Sequence, residues 1–447
     1  MNPHIFREYD VRGIADTDLD DQTVTLLAKG FGSRLIRNDA KKIVLGRDVR
    51  LSSDRIHDTL LQGLLSTGLD VIDLGVVPTP LLYFGIVHLK TDGGVMITGS
   101  HNPPEFNGFK LCVGEEAIYG QKIQELRKSI EAGEFETGQG SASVLDVSAD
   151  YRTYLKENLT IDQPIRLVMD CGNGTAGLIA PELFRDMGCL VEVLYGEPDG
   201  TFPNHHPDPT VAKNLEELIT VTQKLGYDLG VAYDGDTDRI GVVDDMGNIL
   251  WGDQLLIVFS RAILRKNPGA VIIGEVKCSQ NLYNDIEING GKPIMWKTGH
   301  SLIKKKMQEE NALLAGEMSG HIFFKDRYFG FDDAIYATGR LIEILCETAR
   351  PLSQLLWGLP AVYSTPEIRV DCPDEIKFDL VKKVSDYFKS EYNVVDVDGV
   401  RVIFDDGWGL IRASNTQPVI VMRFEANSEA RLQEIRSLME NKLEELK

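Results

Sequence analysis

A chain of 447 residues is longer than one hydrophobic core usually organises, so about two to four domains of roughly 100 to 200 residues are expected. Hydrophobic content of 43% and charged content of 26% are those of a folded protein and exclude global disorder. The formal charge of -21 excludes nonspecific nucleic-acid binding, which relies on basic surface to displace counterions, so any anionic substrate must be held by local basic residues.

The N-terminal MNPHIFREYD has neither a basic lead nor an apolar signal core, and no apolar run approaches the roughly 20 residues that span a bilayer. Cysteines at 112, 171, 189, 278, 346 and 372 form no CxxC pair. A reduced, cytoplasmic setting with no membrane partner is expected.

Along the chain, KIVLGRD (42–48), RLVMDCG (166–172) and AVIIGEV (270–276) are short apolar strands ending in a Gly or acidic turn. Each leads into a helical segment, a glycine (Gly68, Gly188, Gly291) and a second strand, DVIDLG, CLVEVLYG or KPIMWKTG. Strand, helix, strand with short connections predicts parallel pairing with a right-handed crossover. The polar, Gly- and Ser-rich EFETGQGSASV (134–144) reads as a linker and GLPAVYSTPE (358–367) as a connector. The expected fold is three similar α/β domains with mixed sheets (1–145, 146–250 and 251–360), followed by a smaller α+β C-terminal domain (361–447).

In open α/β sheets ligands gather at loops beyond the strand ends. The first such loop, in GGVMITGSHNPPEFNGFK (93–110), holds one serine, Ser100, between Gly99 and His101. The second, DLGVAYDGDTDRIGVVDD (228–245), sets Asp234, Asp236 and Asp238 at i, i+2 and i+4. In an extended strand their α-carbons would stand about 7 Å apart, too far to share one small cation, so the segment must curl, with Gly235 permitting it. Three carboxylates this close repel unless a divalent metal sits among them; a solvated acidic turn is the bland alternative. An EF-hand fits poorly because Arg239 and Asp245 stand where Gly and Glu are required, and an aspartyl-nucleophile phosphatase is a better rival.

The third loop, LLAGEMSGHIFF (313–324), spaces Glu317, Ser319 and His321 by two, which in a strand would share one face and suit sugar hydroxyls; an ordinary edge strand competes. In the fourth, LIRASNTQPVIVMRFEA (410–426), Arg412 can hold a phosphate by a fork of donors. Ser414, Asn415, Thr416 and their amides can complete an anion nest, against the alternative of a plain polar turn.

TGSHNP, DGDTDR, GEMSGH and RASNTQP, in this order, resemble the four signature loops of the α-D-phosphohexomutases. The resemblance runs from FREYDVRG to the last domain, and GEMSGH with KTGHSLIK is similar to the phosphomannomutase/phosphoglucomutase branch. Thr237 departs from it, where members often carry Gly or Ala, with no evident chemical demand. The resemblance implies that Ser100 carries a phosphoryl group, with one Mg2+ per chain held by Ser100, Asp234, Asp236 and Asp238. It implies reversible transfer between the 1 and 6 positions of mannose or glucose phosphates, through a hexose 1,6-bisphosphate that also activates the enzyme. Glu317, Ser319 and His321 would read the sugar, and Arg412, Ser414, Asn415 and Thr416 the phosphate that is not reacting. Arg239 would bind the transferring phosphate or orient an aspartate, while Tyr9 and Lys277 line the cleft. Acid and base duties fall among Arg12, Lys110, His101 and His300. A phosphoglucosamine mutase is disfavoured by Met318, where those enzymes usually have Gln. A noncatalytic phosphosugar-binding protein is disfavoured by the intact Ser100 and aspartates. Small hexose phosphates are the implied partners, with the chain a monomer or dimer.

Overall fold

Continuous apolar runs make strands that are buried on both faces, and three stretches of the chain use such runs to build the same sheet. The computed structural model describes residues 1–447. The first sheet contains β1 (Val11–Ile14), β2 (Lys42–Arg47), β3 (Asp70–Val76), β4 (Gly93–Ile97), β5 (Phe106–Val113), β6 (Glu116–Ala117) and β7 (Ala142–Val144). Its order is β1-β5-β4-β2-β3-β7, with β6 on β5. The second contains β8 (Arg166–Asp170), β9 (Leu190–Leu194), β10 (Leu229–Tyr233), β11 (Ile240–Asp244) and β12 (Ile249–Leu250), in the order β12-β11-β10-β8-β9. The third contains β13 (Val271–Glu275), β14 (Lys292–Trp296), β15 (Leu314–Gly316) and β16 (Ile322–Phe324), in the order β14-β13-β15-β16.

A common four-strand motif recurs as β3-β2-β4-β5, β9-β8-β10-β11 and β14-β13-β15-β16. In each, the first three strands run parallel and the fourth returns antiparallel. The sheets are therefore mixed, and each antiparallel return is made by one of the first three loops singled out above.

The last domain is an antiparallel sheet of β17 (Tyr363–Ser364), β18 (Ile368–Asp371), β19 (Asn393–Val395), β20 (Val400–Phe404), β21 (Gly407–Ala413) and β22 (Val419–Ala426). Helices Asp374–Glu391 and Glu429–Leu446 pack on it and on each other. Its fourth loop again joins an antiparallel pair, β21 and β22.

Two expectations about connections need correction. EFETGQGSASV is not wholly a linker: its end is the edge strand β7, parallel to β3. Its glycines serve close approach, since a Cβ at Gly140 would lie 1.8 Å from the Leu69 carbonyl oxygen. The third loop is not strand-like: Glu317 to His321 is a tight turn, with Gly320 at φ +89° and the Glu317 amide donating to the His321 carbonyl at 2.9 Å.

One apolar cluster of 59 buried residues runs from Val44 to Leu352 and so belongs to the first three domains together. The last domain has its own cluster of 17, from Cys372 to Leu443. All six cysteines are buried and unpaired, and no helix is long and apolar enough to cross a membrane.

Phe84 sits where the first three domains meet, its ring 5.4 Å from Tyr151 and 6.3 Å from Phe329. Phe84→Ala should cost about 3–5 kcal/mol of stability in the shared core and leave the last domain's transition unmoved. Denaturant unfolding followed by probes in each part checks this; a loss below about 1 kcal/mol would contradict a shared core.

Candidate active site

The turn between β4 and β5 places Ser100 in the left-handed region, at φ 49°, with the residue 3% exposed. Non-glycine residues seldom adopt this conformation, so the surroundings must hold it. The Ser100 amide donates to Thr98 Oγ1 at 2.8 Å, and Arg50 Nη2 donates to the Ser100 carbonyl at 2.8 Å. Arg12, on β1, pairs with Asp10 and donates to Asn102 Oδ1 at 2.8 Å, which braces the same turn. Ser100 Oγ lies 2.7 Å from Asp234 Oδ2 and 3.0 Å from His101 Nδ1. Burial, reinforced by the Arg239 and Arg12 guanidiniums, holds the His101 imidazole well below its ordinary pKa and therefore neutral.

The β10–β11 turn brings one oxygen from each of Asp234, Asp236 and Asp238 within 4.8 Å of one another, and all three residues are buried. Its curl is not made where the sequence pointed. Thr237 takes the left-handed conformation at φ 67°, whereas Gly235 is needed because a Cβ there would stand 2.6 Å from the Ser100 carbonyl oxygen. A β-branched residue at positive φ is strained, which gives Thr237 a conformational demand that the sequence concealed. Its hydroxyl, 2.8 Å from Thr175 Oγ1, helps to hold it.

Burial, together with Asp236 and Asp238, raises the pKa of Asp234 well above the carboxylate range. Burial also acts to raise Asp236, but the Lys110 ammonium outweighs it and holds that carboxyl low. Lys110 Nζ donates to Asp236 Oδ2 at 2.7 Å and closely to Asp238 Oδ2, while Thr79 Oγ1 donates to Asp236 Oδ2 at 2.6 Å. Burial lowers the Lys110 pKa, but the two aspartates more than reverse this, so the ammonium stays charged. Asp236 Oδ1 and Asp238 Oδ1 are buried with no hydrogen-bond partner. Two orphaned carboxylate oxygens beside Asp234 and a serine hydroxyl form an all-oxygen donor set that fits a hard divalent cation such as Mg2+.

Across the site, Arg239 Nε donates to His321 Nε2 at 3.0 Å, and His321 Nδ1 faces Asp332 Oδ2 at 3.1 Å. His300 stacks on His321 with centroids 5.5 Å apart, and Lys304 Nζ bonds Asp332 Oδ1 at 3.0 Å. Asp332 was missed in the sequence because it lies in no loop motif.

A second cluster surrounds Thr298 and Gly299. Tyr9 donates to the Thr298 carbonyl at 2.7 Å and accepts from Asn415 Nδ2 at 2.8 Å, so its hydroxyl joins the first, third and last domains. Glu317 accepts from the Gly299 amide at 2.6 Å, and Ser319 Oγ lies 3.4 Å from Glu317. His321, at the far end of the turn, points into the first cluster instead. Arg412 Nε bonds Asp398 at 2.9 Å, and Lys277 Nζ bonds Glu367 at 3.0 Å, which helps to hold that carboxyl down at about 2. Ser414 Oγ accepts from the amides of Thr416 and Gln417 at 3.3 and 3.2 Å, so those amides fold inward and do not form an open nest. Glu275, also missed, ends β13 and accepts from the Lys277 amide, Thr298 Oγ1 and the Met318 amide, tying three loops together. Its only signal was an acidic residue at a strand end.

The chain matches descriptions of the phosphoglucomutase/phosphomannomutase α/β/α domain I over residues 3–137, domain II over 149–247 and domain III over 251–363. It matches the corresponding C-terminal domain over 367–442. It is 46% identical over 440 residues to a Pseudomonas aeruginosa phosphomannomutase/phosphoglucomutase, covering 98% of this chain and 95% of that one. A Neisseria gonorrhoeae phosphoglucomutase is 42% identical, with 97% and 95% covered. The crystal structure of a Burkholderia thailandensis phosphoglucomutase/phosphomannomutase family protein superposes with a TM-score of 0.94 at 42% identity, covering 100% of this chain and 98% of that one.

The orphaned oxygens generate a test that does not depend on turnover. Calorimetric titration of Mg2+ should show one site per chain, and Asp236→Asn should weaken it about tenfold or more by removing one charge from the cluster. Unchanged affinity in that variant would show that the aspartates are not the ligands.

Proposed function

Since the chain belongs to the phosphoglucomutase/phosphomannomutase family, we propose that it interconverts the 1- and 6-phosphates of mannose and glucose through a phosphoryl group carried on Ser100. The observation that carries the reading is the position of Ser100 Oγ, 2.7 Å from Asp234 in the buried aspartate turn, whose Asp238 lies 3.6 Å from His321 of the third loop. A hydroxyl held by a strained turn against a carboxylate cluster suits a group that gives and receives phosphoryl, because such transfer depends mainly on positioning and charge stabilisation.

In the first half, the P–O bond to Ser100 Oγ breaks as one forms to the free O6 of a hexose 1-phosphate, or O1 of a hexose 6-phosphate. The proton of that sugar hydroxyl leaves, and Ser100 Oγ regains one. His101 Nδ1, neutral and 3.0 Å away, is placed to move a proton at Ser100 Oγ. A hexose 1,6-bisphosphate results, turns end for end, and returns its other phosphate to Ser100. Mg2+ held by Ser100, Asp234, Asp236 and Asp238 would supply charge neutralisation. Lys110 holds Asp236 and Asp238 in register. Arg239 orients His321. Glu317 and Ser319 would read hydroxyls common to both poses, with Arg412, Ser414, Asn415, Thr416 and Lys277 on the distal phosphate. The names of the relatives, and Met318 in the third loop, favour this over a phosphoglucosamine substrate.

Intact-mass analysis should show a fraction of the protein about 80 Da heavy, and Ser100→Ala should lose both that fraction and nearly all mutase activity. Full activity in the variant would sink the mechanism.

Arg412→Ala should weaken substrate binding and raise the amount of 1,6-bisphosphate released per turnover, with Mg2+ affinity unchanged. Parent affinity without added leakage would remove Arg412 from the phosphate clamp.

A further inference from the structure

Arg50 lies outside every loop so far assigned a role, yet its side chain is fully enclosed, with 0% of it exposed. The guanidinium donates to four backbone carbonyls of the turn that carries Ser100. Nη1 reaches Pro103 at 2.5 Å and Phe106 at 2.9 Å, and Nη2 reaches Ser100 at 2.8 Å and Asn102 at 2.5 Å. The Ser100 and Asn102 carbonyls lie in the turn between β4 and β5, where no neighbouring strand pairs with them; Pro103 also accepts from the Phe106 amide at 3.0 Å, and Phe106 opens β5. Without the guanidinium the buried Ser100 carbonyl would be left without a partner, which disfavours the turn as it stands.

Asp48 completes the clamp. Its Oδ2 lies 3.2 Å from Arg50 Nε and accepts from the Gly99 amide at 3.1 Å, while Oδ1 accepts from the Arg50 amide and Ser53 Oγ. The pair therefore grips the turn by an amide before Ser100 and by carbonyls at and after it. Gly99 is glycine for this reason, since a Cβ there would stand 2.5 Å from Arg50 Cζ. On its other side Arg50 faces the Phe202 ring, 5.3 Å away in the second domain, the domain that carries the aspartates.

We propose that Arg50 is the positioning residue that fixes Ser100 in its left-handed conformation and so sets the aim of Oγ towards Asp234. The inference rests on Ser100 being the phosphoryl carrier. Arg50 touches no reacting atom; it acts through the backbone of the turn. A planar fork can serve four carbonyls at once, whereas a lysine ammonium offers three donors from one point. Arg50→Lys retains the charge opposite Asp48 and loses the fork.

The test compares Arg50→Lys with the parent protein by steady-state kinetics and by the single-turnover rate at which glucose 1,6-bisphosphate phosphorylates Ser100. Thermal midpoints and folded fraction are measured alongside. Misplacement of a reacting group by about 1 Å costs on the order of 100-fold, so kcat and the phosphorylation rate should fall by about that factor in the folded protein while KM moves by less than about threefold. In Arg50→Ala, free guanidinium at a low, non-denaturing concentration should restore part of kcat in a saturable way without altering KM, a response that a purely architectural role would not give. Parent-like kcat in Arg50→Lys would overturn the proposal. So would a loss of activity that only tracks the unfolded fraction and is not rescued by guanidinium. Ser100→Ala, assayed in parallel, separates the two readings: if it stays active, the carrier assignment fails; if it is dead while Arg50→Lys is unimpaired, the positioning role fails.

Discussion

Three carboxylates held within 4.8 Å in a buried turn are the constraint around which this molecule is arranged. Like charges this close repel, and the repulsion together with burial pushes Asp234 towards its neutral form. The neighbourhood answers with positive charge and hydrogen-bond donors drawn from several domains: Lys110 and Thr79 from the first, and Arg239 from the turn itself. Even so, two oxygens remain without partners. The residual negative field suits a cation, and a cation so placed suits a phosphoryl group on the adjacent serine. The same charges that make the turn expensive to fold supply the electrostatics the chemistry needs.

Repetition of one sheet topology brings these groups together. In each of the first three domains the functional turn is the return from the last parallel strand to its antiparallel neighbour, and in the last domain it joins two antiparallel strands. A parallel crossover needs a helix, whereas an antiparallel return can be a few residues long. Short turns at equivalent places can therefore carry unrelated side chains without altering the scaffold. This is why a serine, a set of aspartates, the Glu317–His321 turn and the Arg412–Thr416 turn can each stand at the end of such a pair of strands.

Much of this was legible in the sequence. The strand–helix–strand repeats predicted the parallel pairs, and the four motifs located the four turns, because apolar runs and short polar interruptions are local signals. What the sequence hid was conformational or long-range. Thr237 gave no sign that it, and not Gly235, takes the left-handed turn, since the reason lies in the approach of Gly235 to the Ser100 carbonyl across a domain boundary. Asp332, Glu275 and Arg50 stand at strand ends or in loops without a recognised pattern, and their partners lie many residues away. The third motif was misread in geometry because spacing by two looks the same in a strand and in a tight turn, and only Gly320 at positive φ distinguishes them.

The closed arrangement also bears on turnover. Ser100, the aspartates and His321 are nearly inaccessible, so hexose phosphates require the cleft to open. The first three domains share a continuous apolar core, and separating them would expose much of it. The last domain has its own core, and polar groups figure prominently where it meets its neighbours: Arg401 on the carbonyls of Val276 and Cys278, Lys277 on Glu367, and Asn415 on the Tyr9 hydroxyl. Such contacts exchange for water at a net cost near 1 kcal/mol each, much less than a core. The last domain is thus held to its neighbours by less apolar surface than the first three share, chiefly the small cluster of Val276, Trp408 and Leu410. Its hydrogen bond to the first domain runs from Asn415 to Tyr9, which also holds the Thr298 carbonyl. Release of that hydroxyl would separate the last domain from the first, while the Thr298 amide on Asp398 and the Lys277–Glu367 pair would still tie it to the third.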